Sequence, residues 1–287
     1  MEKKHKGLGY IQEMKARGEK LARTICYDYP MACIAEAADI DVINVGDSYQ
    51  NVVYGLPDTL GCKLGVMIDH ARAVRRGAPS IFIMGDMPFG SYQPSEEMAI
   101  KNCCRYMAEG EVDCVKIEGN DEILPLISRL TSIGIPVVAH SGLTPQMVNL
   151  LGGYKTQGRD AKTAAKIVET AVKFEEAGAA IVLLEAIPEE VAREVYARLH
   201  VPFFGTGTGQ YTDSPAVNLY DLLGFFDRTP KFVKRYLNFK EQAVSAVTQY
   251  VKETREGDFP QPEHTYYMKE GEEELFLEYL NKSSVAN

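Results

Sequence analysis

The chain has 287 residues, with 31 Lys and Arg against 40 Asp and Glu, a formal net charge of −9. A hydrophobic share of 45% and a charged share of 25% are those of a globular chain and exclude wholesale disorder. The longest apolar runs are strand-sized, short of the ~20 residues of a bilayer span, and no basic tract with interleaved aromatics marks a nucleic-acid binder.

The opening segment has no apolar core of signal-peptide type, so a cytoplasmic protein is expected. Short β-branched runs then alternate with longer helical stretches. Strands are predicted over residues 23–27, 42–45, 81–84, 114–117, 136–139, 181–184, 202–205 and 220–223. Several are apolar throughout, as parallel strands covered on both faces are. The clearest helix is 161–177, where Ile167, Val168, Ala171 and Val172 form one stripe and Gly178 stops it. The dibasic Arg75-Arg76 reads as a helix end. Repeated about eight times, this alternation predicts a (β/α)₈ TIM barrel, which fits in ~250 residues as one domain. A doubly wound sheet is the competing architecture. The barrel is expected over 1–265, and a tail over 266–287 contains an amphipathic helix near 272–282. That helix is read as packing on the barrel or on a neighbouring subunit. The six cysteines form no C-x-x-C pair, which argues against a zinc site, and Cys26 and Cys114 read as buried free thiols.

In such a barrel the C-terminal strand ends converge on one face, where the chemistry is done. Those ends carry Asp28, Asp47 with Ser48, Asp86, Lys116 with Glu118, His140, Glu185, and the glycines 205, 207 and 209. Asp47, Asp86 and Glu118 are oxygen ligands on three successive loops, and magnesium suits such a set. Helix capping by Asp47 and Asp86 is the competing role. Lys116 and Glu118 point to the same side of a strand, so Lys116 can reach a substrate anion or simply pair with Glu118. His140 is catalytic, substrate-binding or structural. Glu185 leaves an apolar strand and suits a proton acceptor, or it partners a nearby base. The glycines suit a phosphate or cofactor cradle, or a close backbone approach.

Taken in order, these residues resemble the ketopantoate hydroxymethyltransferase family. The likeness runs through Tyr27-Asp28-Tyr29, Val45-Gly46-Asp47-Ser48, residues 70–77, Asp86-Met87-Pro88-Phe89 and Val115-Lys116-Ile117-Glu118-Gly119. It continues through residues 140–146, residues 152–159, Leu184-Glu185 and Glu263-His264. The resemblance implies a magnesium-dependent barrel of the phosphoenolpyruvate mutase/isocitrate lyase type. It implies transfer of a one-carbon unit from 5,10-methylenetetrahydrofolate to a branched 2-oxo acid, on the route to pantothenate. It further implies Asp47 and Asp86 as magnesium ligands with Glu118 completing or orienting them. Asp47, Ser48, Asp86 and Lys116 would bind the oxo acid, and Glu185 would be the base. A homo-oligomer is expected.

The family's Gly-Ile-Gly-Ala-Gly is here Gly205-Thr206-Gly207-Thr208-Gly209, its Leu-Gly is Tyr49-Gln50, its Thr-Leu-Pro-Val-Thr is residues 59–63, and its His-Asp is Tyr220-Asp221. A paralogue acting on another 2-oxo acid, a magnesium-dependent lyase or mutase, and a non-catalytic binder are the competing readings.

Overall fold

A computed structural model describes residues 3–284 of the chain. They divide between Leu237 and Asn238 into two compact units. The first unit is a closed barrel of eight parallel strands in sequence order. The strands are β1 (Arg23–Ile25), β2 (Val42–Val45), β3 (Phe82–Asp86), β4 (Cys114–Glu118), β5 (Val137–Gly142), β6 (Ile181–Glu185), β7 (Phe203–Thr206) and β8 (Ser214–Asn218).

Alternate side chains of each strand point to opposite faces, and the two sets form two cores. Val42, Phe82, Met84, Cys114, Val138, Ile181, Leu183 and Phe204 pack into one cluster inside the barrel. Ile11 and Met14 of the first helix, α1 (Leu8–Ala16), join it. The other parity, including Ile43, Ile83, Val115, Ile117, Val137, Val182 and Leu184, packs against the surrounding helices. Asp86, Lys116, Glu118, His140 and Glu185 share the parity of the inner cluster, so the inner face turns from apolar to ionic toward the C-terminal strand ends.

Helices α2 (Tyr29–Ala37), α4 (Leu64–Gly77), α5 (Glu96–Gly110), α6 (Leu124–Ser132), α8 (Ala161–Glu176), α9 (Glu189–Tyr196) and α10 (Leu219–Leu223) surround the strands. The single-turn helices α3 (Tyr49–Val52) and α7 (Val148–Leu151) lie in the loops. Arg75 and Arg76 occupy the last turn of α4, as expected. Asp160 caps α8, and Gly178 follows it at a φ of 94°. Its inner stripe is Thr170, Ala171 and Phe174, with Ile167 and Val168 packed beside it.

Two expectations are corrected. Residues 220–223 are not a strand: they lie in α10, which the Asn218 side chain caps through the Tyr220 amide. The eighth strand is Ser214–Asn218, hidden in the sequence by Pro215 and by polar residues at both ends. A loop rather than a helix joins β7 to β8, so the helix–strand alternation is incomplete there.

The second unit holds α11 (Phe239–Glu256) and α12 (Glu272–Ser284). Tyr250, Phe259 and His264 form a small aromatic chain within it. The break falls at 237, not 265, because none of the described side chains of α11 is buried. Residues 285–287 of the expected tail lie outside the described residues. No described helix is long and apolar enough to cross a membrane.

Gly85 fixes how closely β3 approaches α5. A Cβ at this position would stand 2.5 Å from Tyr106 Cζ and 2.6 Å from its Cε1, both deep in the core. Gly85→Ala is expected to lose about 1–3 kcal/mol by overpacking, read by urea unfolding. The double variant with Tyr106→Leu should lose less than the sum of the single changes, because the two sites share one contact.

Candidate active site

The in-register ladder sets the inner ionic layer. Asp86 pairs with Lys116 across β3 and β4, and Glu118 pairs with His140 across β4 and β5. Lys116 Nζ lies 2.8 Å from Asp86 Oδ2 and 3.3 Å from Glu118 Oε1. Asp47 follows β2, and its amide donates to Asp86 Oδ2 at 3.3 Å. Neither Asp47 nor Asp86 caps a helix. Ser48 occupies the cap position of α3 without a side-chain bond, and Asp86 ends a strand. The capping reading of these two carboxylates is therefore overturned. The helix caps come from Asp28, Ser95, Asp160 and Asn218 instead.

Burial and charge pull these groups in different directions. Burial raises Asp47 well above the usual carboxylate range, and Glu118 and Asp86 push it further. Asp86 is also raised by burial, with Lys116 opposing. Burial acts to raise Glu118 as well, but Lys116 and His140 outweigh it and hold that carboxyl at about 2. Burial would lower the Lys116 ammonium, yet Asp86 and Glu118 hold it above its usual value. Lys116 thus serves two acids and leaves Asp47 with the weakest support. Asp86 Oδ1 is buried with no hydrogen-bond partner among the described residues. Both Glu118 oxygens already accept from the protein, one from Lys116 and one from the Gln146 amide. Among the described residues no group of three or more His, Cys, Asp and Glu side chains is set to enclose a metal ion.

His140 lies beneath the layer, fully buried, 3.4 Å from Glu118 and 3.7 Å from Glu185. Neither ring nitrogen has a hydrogen-bond partner among the described residues. Glu185 differs from the other acids in access: its side chain is 24% exposed, against 3% for Asp86 and 1% for Glu118. Burial raises its carboxyl, and His140 and Lys116 partly offset that. A cavity of about 240 Å³ is lined by Asp47, Ser48, Asp86, Lys116 and Glu185. The sequence-predicted site residues are therefore assembled, with Glu118 and His140 behind the surface layer.

Several supporting residues carry no signal in strand-end position and were missed. Gln146 donates from its side chain to Asp47 Oδ2 and to the Met87 carbonyl, each at 2.9 Å, and accepts from the Tyr92 hydroxyl at 2.8 Å. Tyr27 bridges Ser48 at 2.8 Å and Asn218 at 2.6 Å. With Asn218 donating to it, the Tyr27 hydroxyl can donate to Ser48 and leave the serine proton free for a ligand. Arg23, at the start of β1, also lines the cavity.

The sequence profile of ketopantoate hydroxymethyltransferase matches residues 6–262. The chain is 45% identical to the 3-methyl-2-oxobutanoate hydroxymethyltransferase of Geobacillus kaustophilus (strain HTA426), over 90% of this chain and 93% of that one. The chain belongs to the ketopantoate hydroxymethyltransferase family. It is thus an enzyme of the transferase class. Among solved structures it is similar to 2,3-dimethylmalate lyase, a PEP mutase/isocitrate lyase superfamily member, at 17% identity. That TM-score is 0.55, with 98% of each chain covered. A phosphonopyruvate hydrolase solved with oxalate and Mg²⁺ aligns with a TM-score of 0.59 at 16% identity, over 97% of this chain and 98% of that one. These likenesses show the fold, a (β/α)₈ barrel similar to those of PEP mutase/isocitrate lyase superfamily members.

Two departures from the family pattern touch one side of the cavity. Thr206 lines it, and the neighbouring Thr208 hydroxyl is buried without a partner among the described residues. Tyr220 hydrogen-bonds Asp28 and stacks on Tyr27 at 5.7 Å. The glycines of this segment make room for the chain's own side chains: Cβ atoms at Gly207 and Gly209 would lie 2.9 Å from Phe232 and 2.8 Å from Glu189. The close-approach reading, rather than a phosphate cradle, describes them.

Gln146→Leu keeps the bulk and removes the donor to Asp47. It leaves a buried carboxylate oxygen unpaired, so a stability loss of about 1–3 kcal/mol is expected, read by urea unfolding. An unchanged midpoint would mean that Gln146 does not support Asp47.

Proposed function

We propose that the protein transfers a one-carbon unit from 5,10-methylenetetrahydrofolate to C3 of a 2-oxo acid, in the manner of the family and on the route to pantothenate. The observation that carries this reading is the pairing of two features across one cavity. One is a buried Asp86 oxygen without a partner beside a raised Asp47. The other is an accessible Glu185 with a raised carboxyl.

The donor set fits a divalent cation such as magnesium. Asp86 Oδ1 is free to ligate, and the Asp47 carboxylate is destabilised by burial and by its acidic neighbours. Hard oxygen ligands suit Mg²⁺, which keeps open positions for a substrate. Glu118, with both oxygens engaged, orients this pair through Lys116 and Gln146 rather than ligating directly. When bound, the cation supplies Lewis-acid polarisation of the keto group, which acidifies the hydrogen at C3.

The chain's own residues do the rest. Ser48, its hydroxyl set by Tyr27, donates to the oxo acid, and Lys116 offsets the negative charge of the carboxylate. Glu185 takes the C3 proton on a carboxylate oxygen. Its raised pKa makes it a stronger base than an ordinary surface carboxylate. His140, close behind, carries part of the resulting change in charge. The carbanion left at C3 then attacks the methylene carbon of the folate as one of its two C–N bonds breaks and that nitrogen takes up a proton; water breaks the second C–N bond, leaving a hydroxymethyl group on C3 and releasing tetrahydrofolate.

The lyase or mutase reading calls for a reactive thiol or a flexible gating loop, and the thiols here do not favour the first. Burial pushes Cys62 and Cys103 up to about 12. Among the described residues no cysteine lines the cavity. Self-association belongs to the same proposal. Its supports are the family resemblance and the exposure of Leu275, Phe276, Leu277 and Tyr279 on α12.

Two outcomes are expected. Asp86→Ala should abolish Mg²⁺-dependent activity with the circular dichroism of the fold retained, and excess chelator should do the same to the wild type. Full activity in either case refutes the cation site. Glu185→Gln should slow the exchange of the C3 hydrogen with deuterium by a factor on the order of 10²–10⁴, the usual worth of a general base. Binding of the oxo acid should be little changed. Undiminished exchange would move the base elsewhere, with His140 as first candidate.

A further inference from the structure

Lys116, the cation of the β3 and β4 side, is taken by Asp86 and Glu118. The Glu185 side has a cation of its own. Arg23 is 4% exposed and lines the cavity together with Glu185 and Thr206. Its Nη2 donates to the Gly205 carbonyl at 2.9 Å, to Thr206 Oγ1 at 3.3 Å and to the Ser214 carbonyl at 3.4 Å. The group also lies 5.0 Å over the Phe204 ring. These contacts brace the guanidinium on β7 and β8, but every acceptor among them is neutral. A buried charge needs a counter-charge, and here it comes from acids of the cavity. Burial lowers the guanidinium to about 9, and Glu185 first and Asp86 second oppose that loss.

The ladder explains the pairing. Gly205 pairs with Pro215 across β7 and β8. One residue further on, Ala216 pairs with Arg23 and Thr206 pairs with Glu185. Arg23 and Glu185 therefore lie on one row of the barrel, three strands apart, and both line the cavity. The Arg23 side chain reaches along that row as far as Thr206, the direct neighbour of Glu185. The isoleucine of the family pattern has no side-chain oxygen to take this bond; Thr206 has one.

Few charges meet Glu185. His140 faces it from β5 at 3.7 Å, Lys116 and Glu118 from β4, Arg23 from β1, and Tyr154 from the loop before α8. Asp47 and Asp86 line the same cavity. Lys116 is shared with two other acids, so Arg23 is the cation that this side can keep for Glu185. Burial raises the Glu185 carboxyl, and Arg23 is among the groups that oppose the rise.

We infer that Arg23 is a positioning residue for the proton acceptor: braced through Thr206, its guanidinium supplies a counter-charge for the Glu185 carboxylate. The inference rests on the proposed function, which makes Glu185 the base. An acceptor of the C3 proton has to be unprotonated when the oxo acid arrives, and desolvation works against that. Without the guanidinium the protonated form gains, and exchange requires a higher pH.

The test uses the full chain with Mg²⁺ and 3-methyl-2-oxobutanoate. C3 deuterium exchange is followed by NMR across pH, and binding by calorimetry. The Glu185 carboxyl is titrated by infrared difference spectroscopy, its band assigned with Glu185→Gln. Arg23→Met should move the acid limb of the exchange rate to higher pH. Below that limb exchange should fall roughly 10- to 100-fold, the size expected of one unit charge several ångströms away at an effective dielectric constant of about 20. The rate should recover at higher pH, with the Kd of the oxo acid little changed, and the carboxyl band should shift in the same direction. Arg23→Lys, which keeps the charge, should stay near the wild-type limb. An equal loss at every pH, or weaker binding of the oxo acid with the limb unmoved, makes Arg23 a structural or substrate-binding residue and overturns the inference. Exchange that is absent, or independent of Glu185, sinks the proposed chemistry instead. The carboxyl band then decides: a titration that depends on Arg23 supports the inference, and an unmoved one overturns it. If Arg23→Met fails to fold, Arg23→Gln, which keeps a donor but not the charge, gives the same reading.

Discussion

Charge balance at the barrel mouth is the constraint on which the site depends. Asp47, Asp86 and Glu185 line one cavity with Glu118 just behind it, and Lys116 is paired with Asp86 and Glu118. Desolvating a carboxylate costs several kcal/mol unless it is paired and hydrogen-bonded. The chain distributes its support unequally. Glu118 receives the ammonium and an amide, and is held low. Asp86 receives the ammonium through one oxygen only. Among the described residues Asp47 accepts a hydrogen bond only from the Gln146 side-chain amide, and burial raises it well above the usual range. The imbalance is directional: it concentrates unsatisfied negative charge at Asp47 and Asp86, on the cavity side, where a divalent cation fits. Lys116 cannot cure it, because the strand register ties that residue to Asp86 and Glu118.

Much of the fold was legible because parallel strands covered on both faces read as continuous apolar runs. Seven strands were located this way, most of them displaced by a residue or two at their ends. Where β3, β4, β5 and β6 run past their predicted ends, the functional side chains belong to the strands themselves, so the apolar run stops before the strand does; β1 instead ends two residues early and β7 is shifted by one. The eighth strand was misplaced because Ser214–Asn218 pairs only with β7 and β1 through a short polar segment, and Pro215 lacks a donor. The unit boundary escaped for a different reason. The sequence of α11 has helical character but nothing in it says that the helix buries none of its described side chains.

The site was legible to the extent that its members end strands. Asp47, Ser48, Asp86, Lys116 and Glu185 meet in one cavity as the barrel geometry requires. Gln146 and Tyr92 were not legible as members, because they come from loops and act on Asp47 and Glu118 from behind. Arg23 was hidden differently. It opens a three-residue strand, and only the closed ladder, which sets β1 beside β8, carries it under the Glu185 side of the cavity.

The cavity therefore has two sides with different duties. The β2, β3 and β4 side is an anchoring wall: its acids and lysine are locked together by register and by Gln146, and a change at any one disturbs the others. The β7, β8 and β1 side is built from Arg23, Thr206, Asn218 and the flanking Phe232. These side chains touch the anchoring layer mainly through Tyr27 and Ser48. Thr206 pairs in register with Glu185, so a change on this side is felt at Glu185 as well. Of the departures from the resemblance, Thr206 lines this side, whereas Tyr49-Gln50 follow β2 on the other. The two sides are joined through the Glu185–Thr206 register and through Tyr27, which bridges Ser48 and Asn218.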